Sequence, residues 1–219
     1  MWVETVLRGV AIAAACTLAL WTVPAAAADK PINIVALGDS LTAGLGLANA
    51  DAFPAKLQRA LAAKGIVVNI ANAGVSGDTM AGGLARLDWS IPPGTDAVIL
   101  ELGANDALRG LDPAVTRRTL DAILAALAKR NIPVLLCGML APRNLGADYA
   151  RAFDPMYSEL ATAHGALLYP FFLDGVVADR KLNQGDGLHP TAAGVDVIVA
   201  KILPKVEELI ARVRTQHAL

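Results

Sequence analysis

The chain has 219 residues, 55% hydrophobic and 18% charged, with a formal net charge of -1. Near-neutrality without a block of like charges leaves no electrostatic footprint for nucleic acid and excludes a charged tail. At the N-terminus Arg8 lies in a short polar start, residues 10 to 23 carry no charge, and Pro24 precedes four alanines ending at Ala28. This is the pattern of a secretory signal cleaved after Ala28, which implies a periplasmic or secreted protein. The uncharged run of residues 10 to 28 is also long enough to span a bilayer, so a retained anchor is the competing reading. Cys16 behind three alanines hints at a lipoprotein site, but the apolar run continues past it through Leu18, Leu20 and Trp21. Residues 29 to 219 remain, one domain's worth of chain and enough to bury a core without staples. Their only cysteine is Cys137, so no intramolecular disulfide forms. No internal repeat or low-complexity segment follows the leader.

Along this mature part, short apolar runs recur at Ile32–Leu37, Ile66–Ala71, Ala97–Leu102, Val134–Cys137 and Ala166–Leu168. Runs of this length bounded by Gly or polar residues read as buried strands. The segments between them have helical spacing. Phe53, Leu57 and Leu61 repeat at four residues and stop before Gly65. Leu120, Ile123, Leu124 and Leu127 follow i, i+3, i+4, i+7 behind an Asp112-Pro113 start. Tyr149, Phe153, Met156, Tyr157 and Leu160 form another stripe, in which Pro155 kinks or delays the helix. A last helix begins near Thr191 and is expected to be interrupted at Pro204. Strands alternating with helices predict a three-layer α/β/α domain with about five parallel strands.

In such a sheet the loops after successive strands converge on one edge. Four polar, glycine-punctuated loops stand there: Gly38-Asp39-Ser40, Asn72 to Asp78, Gly103 to Asp106, and Gly185 to Pro190. A serine hydroxyl attacks only when a base takes its proton, and histidine is the usual base at neutral pH. Of three mature histidines, His217 lies two residues from the C-terminus and is expected to be solvated or disordered. His164 precedes Gly165 at a helix end, where an imidazole satisfies last-turn carbonyls. His189 follows Asp186 by three residues in a Gly-flanked loop. A turn of that spacing folds the carboxylate onto Nδ1 and leaves Nε2 for Ser40. Taken alone the pattern also fits a metal-ligand pair or a helix entry. Acyl transfer further needs donors for the oxyanion. The candidates are the backbone N–H of Ser40, the N–H of Gly74, and the amide of Asn105. An ordinary turn glycine and an Asx cap are the plain readings of the last two.

Those residues resemble the SGNH (GDSL) hydrolases, with Ser40 in Gly-Asp-Ser-Leu, Gly74, Asn105 in Gly-Ala-Asn-Asp, and His189 in Asp-Gly-Leu-His-Pro. Residues 73–79, 101–110 and 169–172 are similar to the periplasmic multifunctional esterases of that family. The resemblance implies a flavodoxin-like sheet, no cofactor and no metal. It also implies activity on fatty-acyl thioesters, short acyl or aryl esters and lysophospholipids, with a carbohydrate deacetylase as the alternative within the family. Catalysis then rests on Ser40, Asp186 and His189, with Ser40, Gly74 and Asn105 as oxyanion donors. The family's mobile loop over the substrate corresponds to Asp106–Leu111, carrying Leu108 and Leu111. Leu145–Tyr149 borders the acyl groove, although Arg143-Asn144 departs from the more usual Pro-Asn or Ala-Asn. Asn144, Leu145 and Leu188, the last where isoleucine is frequent, complete the expected substrate contacts. Phe171, Phe172, Leu173, Val176 and Val177 either wall an acyl channel or pack a strand-to-helix connection. The expected partners are a small-molecule or lipid acyl ester or thioester and transient membrane-lipid contact, with no nucleic acid and a monomeric state. The rival from another class is a phosphate-binding module at Gly44-Leu-Gly46, which lacks a third glycine and a Walker lysine. A metal site from Asp39, Asp78, Asp106 and His189 has no supporting spacing.

Overall fold

The computed structural model describes residues 30–218, so the expected leader lies outside the described residues. In chain order the elements are β1 Ile32–Gly38, α1 Ser40–Ala43, α2 Phe53–Ala63, β2 Val68–Gly74, α3 Met80–Ala85, α4 Leu87–Ser90, β3 Ala97–Glu101, α5 Ala104–Leu108, α6 Pro113–Lys129, β4 Val134–Cys137, α7 Ala147–Phe153, α8 Met156–His164, β5 Leu167–Tyr169 and α9 Ala192–His217. The five strands form one sheet in the order β2-β1-β3-β4-β5, and every pairing is parallel. Helices α2 and α9 pack together on one face, while α3, α6 and α8 cover the other. This is the three-layer α/β/α arrangement. Covering both faces explains why β3 and β4 are buried at every position and carry unbroken apolar runs.

Two expectations shift, each for a physical reason. Strand β2 was expected at Ile66–Ala71 but spans Val68–Gly74, because its register on β1 runs from Ile32↔Val68 to Gly38↔Gly74. It is an edge strand with exposed Asn69 and Asn72, so apolar content does not mark its end. Helix α9 runs unbroken through Pro204. Both Pro204 and Ala200, whose carbonyl loses its partner, are on the solvent side. Meanwhile Val195, Ile198, Ile202, Val206, Leu209 and Val213 bury the opposite stripe. That burial, at about 1.5–3 kcal/mol per aliphatic side chain, exceeds the ~3 kcal/mol a mid-helix proline costs. Pro155 does divide its stripe, ending α7 and preceding α8.

The sheet order brings the functional loops side by side. Gly38 at the end of β1 is opposite Gly74 of β2 on one side and Glu101 of β3 on the other. The carboxyl ends of these strands therefore share one edge.

Candidate active site

Ser40 is the first residue of α1, directly behind the end of β1. The turn needs Gly38, since a Cβ there would lie 2.1 Å from Thr42 Oγ1 and 2.7 Å from the Glu101 carbonyl. Asp39 caps the helix, its Oδ1 accepting from Leu41 N–H at 2.9 Å. The N–H of Ser40 belongs to the first turn, which leaves it without an intrahelical acceptor. Ser40 Oγ is 2.9 Å from His189 Nε2. On the far side of the ring, His189 Nδ1 is 2.6 Å from Asp186 Oδ2. Asp186 Oδ1 also accepts from the backbone N–H of Leu188 at 2.9 Å and of His189 at 3.0 Å. Those donors hold the Asp186 carboxyl well below the usual carboxylate range, although the group stands in solvent. A carboxylate fixed this way sets the tautomer, with Nδ1 protonated and Nε2 free to take the serine proton.

The loop of His189 is tied to that of Ser40 by a residue that sequence reasoning missed. Gln184 Nε2 donates to the Leu45 carbonyl at 2.7 Å and to the Pro190 carbonyl at 2.9 Å, and Gln184 N–H donates to the His189 carbonyl at 2.7 Å. A Cβ on Gly46 would meet Gln184 Oε1 at 2.3 Å. The Gly44-Leu45-Gly46 turn is therefore filled by this amide instead of forming a phosphate cradle.

Asn105 sits in α5, behind Gly103 at φ +108°. Its Nδ2 donates to Asp39 Oδ2 at 3.0 Å, leaving the second amide hydrogen free. Beneath Asp39 lies Glu101, whose Oε2 accepts from Thr42 Oγ1 at 2.7 Å and at longer range, 3.4 Å, from Asp39 N–H. Neither acid is exposed, and Glu101 Oε1 has no partner among the described residues. Burial pushes the Asp39 carboxyl up to about 6. Burial first, then the neighbouring Asp39, pushes Glu101 well above its ordinary value. Glu101 is the second residue missed. It stood inside an apolar strand run with nothing to mark it as an acid that folding would bury.

Asp78 and Asp106, weighed and set aside as metal ligands, bond protein partners. Asp78 pairs with Arg86 Nε at 2.7 Å, and Asp106 accepts from Met80 N–H at 2.9 Å and Thr116 Oγ1 at 3.2 Å. Among the described residues no cluster of His, Cys, Asp and Glu could hold a metal ion. Arg86 also donates to the Ala73 and Gly38 carbonyls at 2.8 and 2.9 Å, bracing the ends of β2 and β1. His164 does not cap its helix. Its Nε2 is 2.6 Å from Asp121 on α6. His217 ends α9 exposed to solvent, as expected, with its Nε2 3.3 Å from Asp96 Oδ1.

Gly74 requires correction. Its N–H donates to Asn72 Oδ1 at 3.0 Å, and a Cβ would lie 2.2 Å from Ala43 N. It ends the edge strand and lines a separate concavity with Asn49, Gln58 and Ile70. The amide expected to face the oxyanion is spoken for, and the glycine serves close packing of β2 on α1.

Ser40, Asn105 and His189 open into a groove of about 580 Å³ whose remaining lining is almost wholly apolar. Leu108 and Leu188 are in it. Leu111, Asn144 and Leu145 are not among its lining residues, although Arg143, the neighbour of Asn144, is. The helix-turn holding Leu108 is anchored by buried Asp106, so the segment expected to be a loop begins as α5. The 171–177 segment divides by position. Phe171, Leu173 and Val177 face the groove, whereas Phe172 and Val176 are fully buried in the core. Met139, Leu140 and Pro142, after β4, complete the wall and were not anticipated.

A family model described as "GDSL-like Lipase/Acylhydrolase family" matches residues 36–197. Esterase TesA of Pseudomonas aeruginosa is 36% identical over 205 residues, covering 93% of this chain and all of that protein. The Escherichia coli K12 protein named thioesterase 1/protease 1/lysophospholipase L1 is 37% identical over 194 residues, 88% of this chain and 90% of that one. The crystal structure of AlinE4, an SGNH-hydrolase family esterase, superposes with a TM-score of 0.70 at 48% identity, covering 82% of this chain and 96% of its own. The chain belongs to the GDSL-like lipase/acylhydrolase family, the SGNH hydrolases.

Proposed function

We propose that the protein is a serine esterase that cleaves acyl esters and thioesters through an acyl-enzyme. The observation that carries this reading is the continuous relay from Ser40 Oγ to His189 at 2.9 Å and on to Asp186 at 2.6 Å, opening on an apolar groove. His189 Nε2 takes the Ser40 proton as Oγ forms a bond to the acyl carbonyl. The tetrahedral oxyanion is met by the N–H of Ser40 and the free hydrogen of Asn105 Nδ2. The third donor is the N–H of Gly77, in place of Gly74. Three features support Gly77. Its φ is +82°, its N–H has no acceptor among the described residues, and its carbonyl is held by Arg109 Nη2 at 2.7 Å beside the helix of Asn105. Collapse of the intermediate breaks the bond to the leaving group, which departs with the proton from His189. Water, deprotonated by the same imidazole, then releases the acid.

Relatives named arylesterase and thioesterase/lysophospholipase favour aryl esters, acyl thioesters and lysophospholipids as substrates. The apolar lining of the groove speaks against a carbohydrate deacetylase, since a sugar needs hydrogen-bonding walls. We assign residues 1–28 as a cleaved leader and the mature chain as an exported monomer.

A fluorophosphonate should label the wild type and not Ser40→Ala, and Ser40→Ala should lose ester turnover against p-nitrophenyl butanoate. Labelling that persists in Ser40→Ala, or turnover that survives it, rejects the assignment.

A further inference from the structure

Arg143 stands in the loop after β4, and the catalytic relay makes no use of it. It is the only side chain with a permanent charge in the lining of the groove. Its position follows from the sheet. Ser40 follows β1 and Arg143 follows β4, two strand spacings away in the order β1-β3-β4, about 10 Å across the sheet before the loop adds its own length. Arg143 also borders a second concavity, formed with Gly146, Ala147, Ala150 and Arg151, that contains none of the catalytic residues. It therefore stands on the border between the groove and this second concavity, two strands across the sheet from Ser40.

The guanidinium is held in place. Asp154 Oδ2 accepts from Arg143 Nη1 at 2.9 Å, while its Oδ1 accepts from Ala141 N–H at 2.8 Å. One carboxylate thus fixes both the groove wall and the cation. The Arg143 backbone is set in a short 3-10 turn at Arg143–Leu145, closed by Gly146 at φ +89°. Only one of the five N–H donors of the guanidinium is used, and the rest remain available.

We propose that Arg143 is a binding site for the far terminus of the acyl group, and that it selects acyl chains ending in a carboxylate there over neutral chains of the same length. This rests on the reading of the groove as the acyl site of a Ser40 esterase. A methylene chain gains from burial along Leu108, Met139, Pro142 and Phe171 until it reaches the cation. Beyond that point a neutral methyl terminus displaces water from a charged group and gains nothing. A terminal carboxylate accepts two parallel bonds from the free edge of the guanidinium. A dicarboxylic chain too short to reach strands its charge against aliphatic walls and is disfavoured. The ligand class is the half-ester or half-thioester of a medium-length dicarboxylic acid.

The test compares two matched p-nitrophenyl series, butanoyl to dodecanoyl esters and the corresponding ω-carboxylated half-esters, with wild type, Arg143→Leu and Arg143→Lys. In the neutral series kcat/KM of the wild type should rise about fourfold per added methylene and then level off. In the ω-carboxylated series it should start below the neutral one and cross it at that length, ending about tenfold above, the low end for a charge-assisted bond still partly in water. Arg143→Leu should erase the crossing and extend the rise of the neutral series, while Arg143→Lys should keep a reduced crossing. Parallel losses in both series, or a neutral profile of unchanged shape in Arg143→Leu, overturn the proposal. If the wild type turns over no member of either series, it is the esterase reading itself that fails.

Discussion

Asp39→Asn separates the work of the nucleophile loop from its cost. Asp39 is fully buried, with one oxygen on Leu41 N–H at 2.9 Å and the other on Asn105 Nδ2 at 3.0 Å. Asparagine can still accept from Leu41, but its amide nitrogen then opposes the amide of Asn105, two donors face to face. Asn105 must turn away, and if it supplies an oxyanion bond, kcat should fall by about 10²–10³. Stability moves the other way. Burial raises the Asp39 carboxyl from an ordinary 3.8 to about 6 in the folded protein. Between those values the unfolded chain has already lost a proton that the folded one keeps, so stability falls as pH rises and stays low above about pH 6. At ~1.36 kcal/mol per pH unit the ionised group costs about 3 kcal/mol at neutral pH. Asparagine resembles the neutral acid, so the variant should be more stable by up to that amount at pH 7.5, roughly 5–10 °C in Tm, with the gain vanishing near pH 4. Calorimetry at the two pH values and steady-state hydrolysis of a p-nitrophenyl ester measure both effects. A variant that keeps kcat within threefold (roughly 0.7 kcal/mol), or one equally destabilised at both pH values, refutes the reasoning.

Three further outcomes are expected. Asp186→Asn should lower kcat by about 10²–10⁴ with little change in KM, because the imidazole loses its orienting partner; stopped-flow acylation kinetics would read it, and a pure KM effect would contradict the role. Arg86→Ala leaves Asp78 and the Ala73 carbonyl without this donor in a largely buried setting, and the Gly38 carbonyl with the Val75 N–H at 3.0 Å, and should cost about 3–5 kcal/mol in denaturant unfolding. Gln184→Ala cuts the tie between the Ser40 and His189 loops and should cost about 1–2 kcal/mol in stability and about tenfold in kcat, with an unaltered kcat showing that the loops hold their spacing without it.

The order of strands and helices was legible because both faces of the sheet are covered, and covered strands must be apolar runs. Ser40 was legible as a polar residue in a glycine-marked turn at a strand end, and Asp186 and His189 as a spaced pair in a glycine-marked loop just before α9. The edge strand escaped for the opposite reason, since its bounds are set by pairing with β1 and its side chains are half in water. That slip placed Gly74 in a loop, although it is the last residue of β2 with its N–H taken by Asn72. Gln184 and Asp154 escaped because their roles depend on carbonyls and amides brought near only by folding. No periodicity marks a glutamine that reaches the Leu45 carbonyl.

Three carboxyl groups surround Ser40, and their environments rank them more clearly than their sequence positions do. Asp186 stands in solvent with three donors aimed at it, so it stays ionised through the working range and can orient His189 without itself taking a proton. Glu101 is sealed below the sheet edge, where burial and then Asp39 raise its carboxyl well above its ordinary value, and it braces Thr42. Asp39 lies between, buried like Glu101 but bonded like Asp186, and about 6 is where those influences leave it. Activity should therefore fall as pH drops through about 6, because protonating Asp39 releases the amide of Asn105. In Asp39→Asn this ionisation is gone, and the residual activity should lose the part of the pH dependence centred near 6. A pH profile of the same shape in wild type and Asp39→Asn would mean that Asp39 does not titrate in the working range, and that Asn105 is held by something other than its charge.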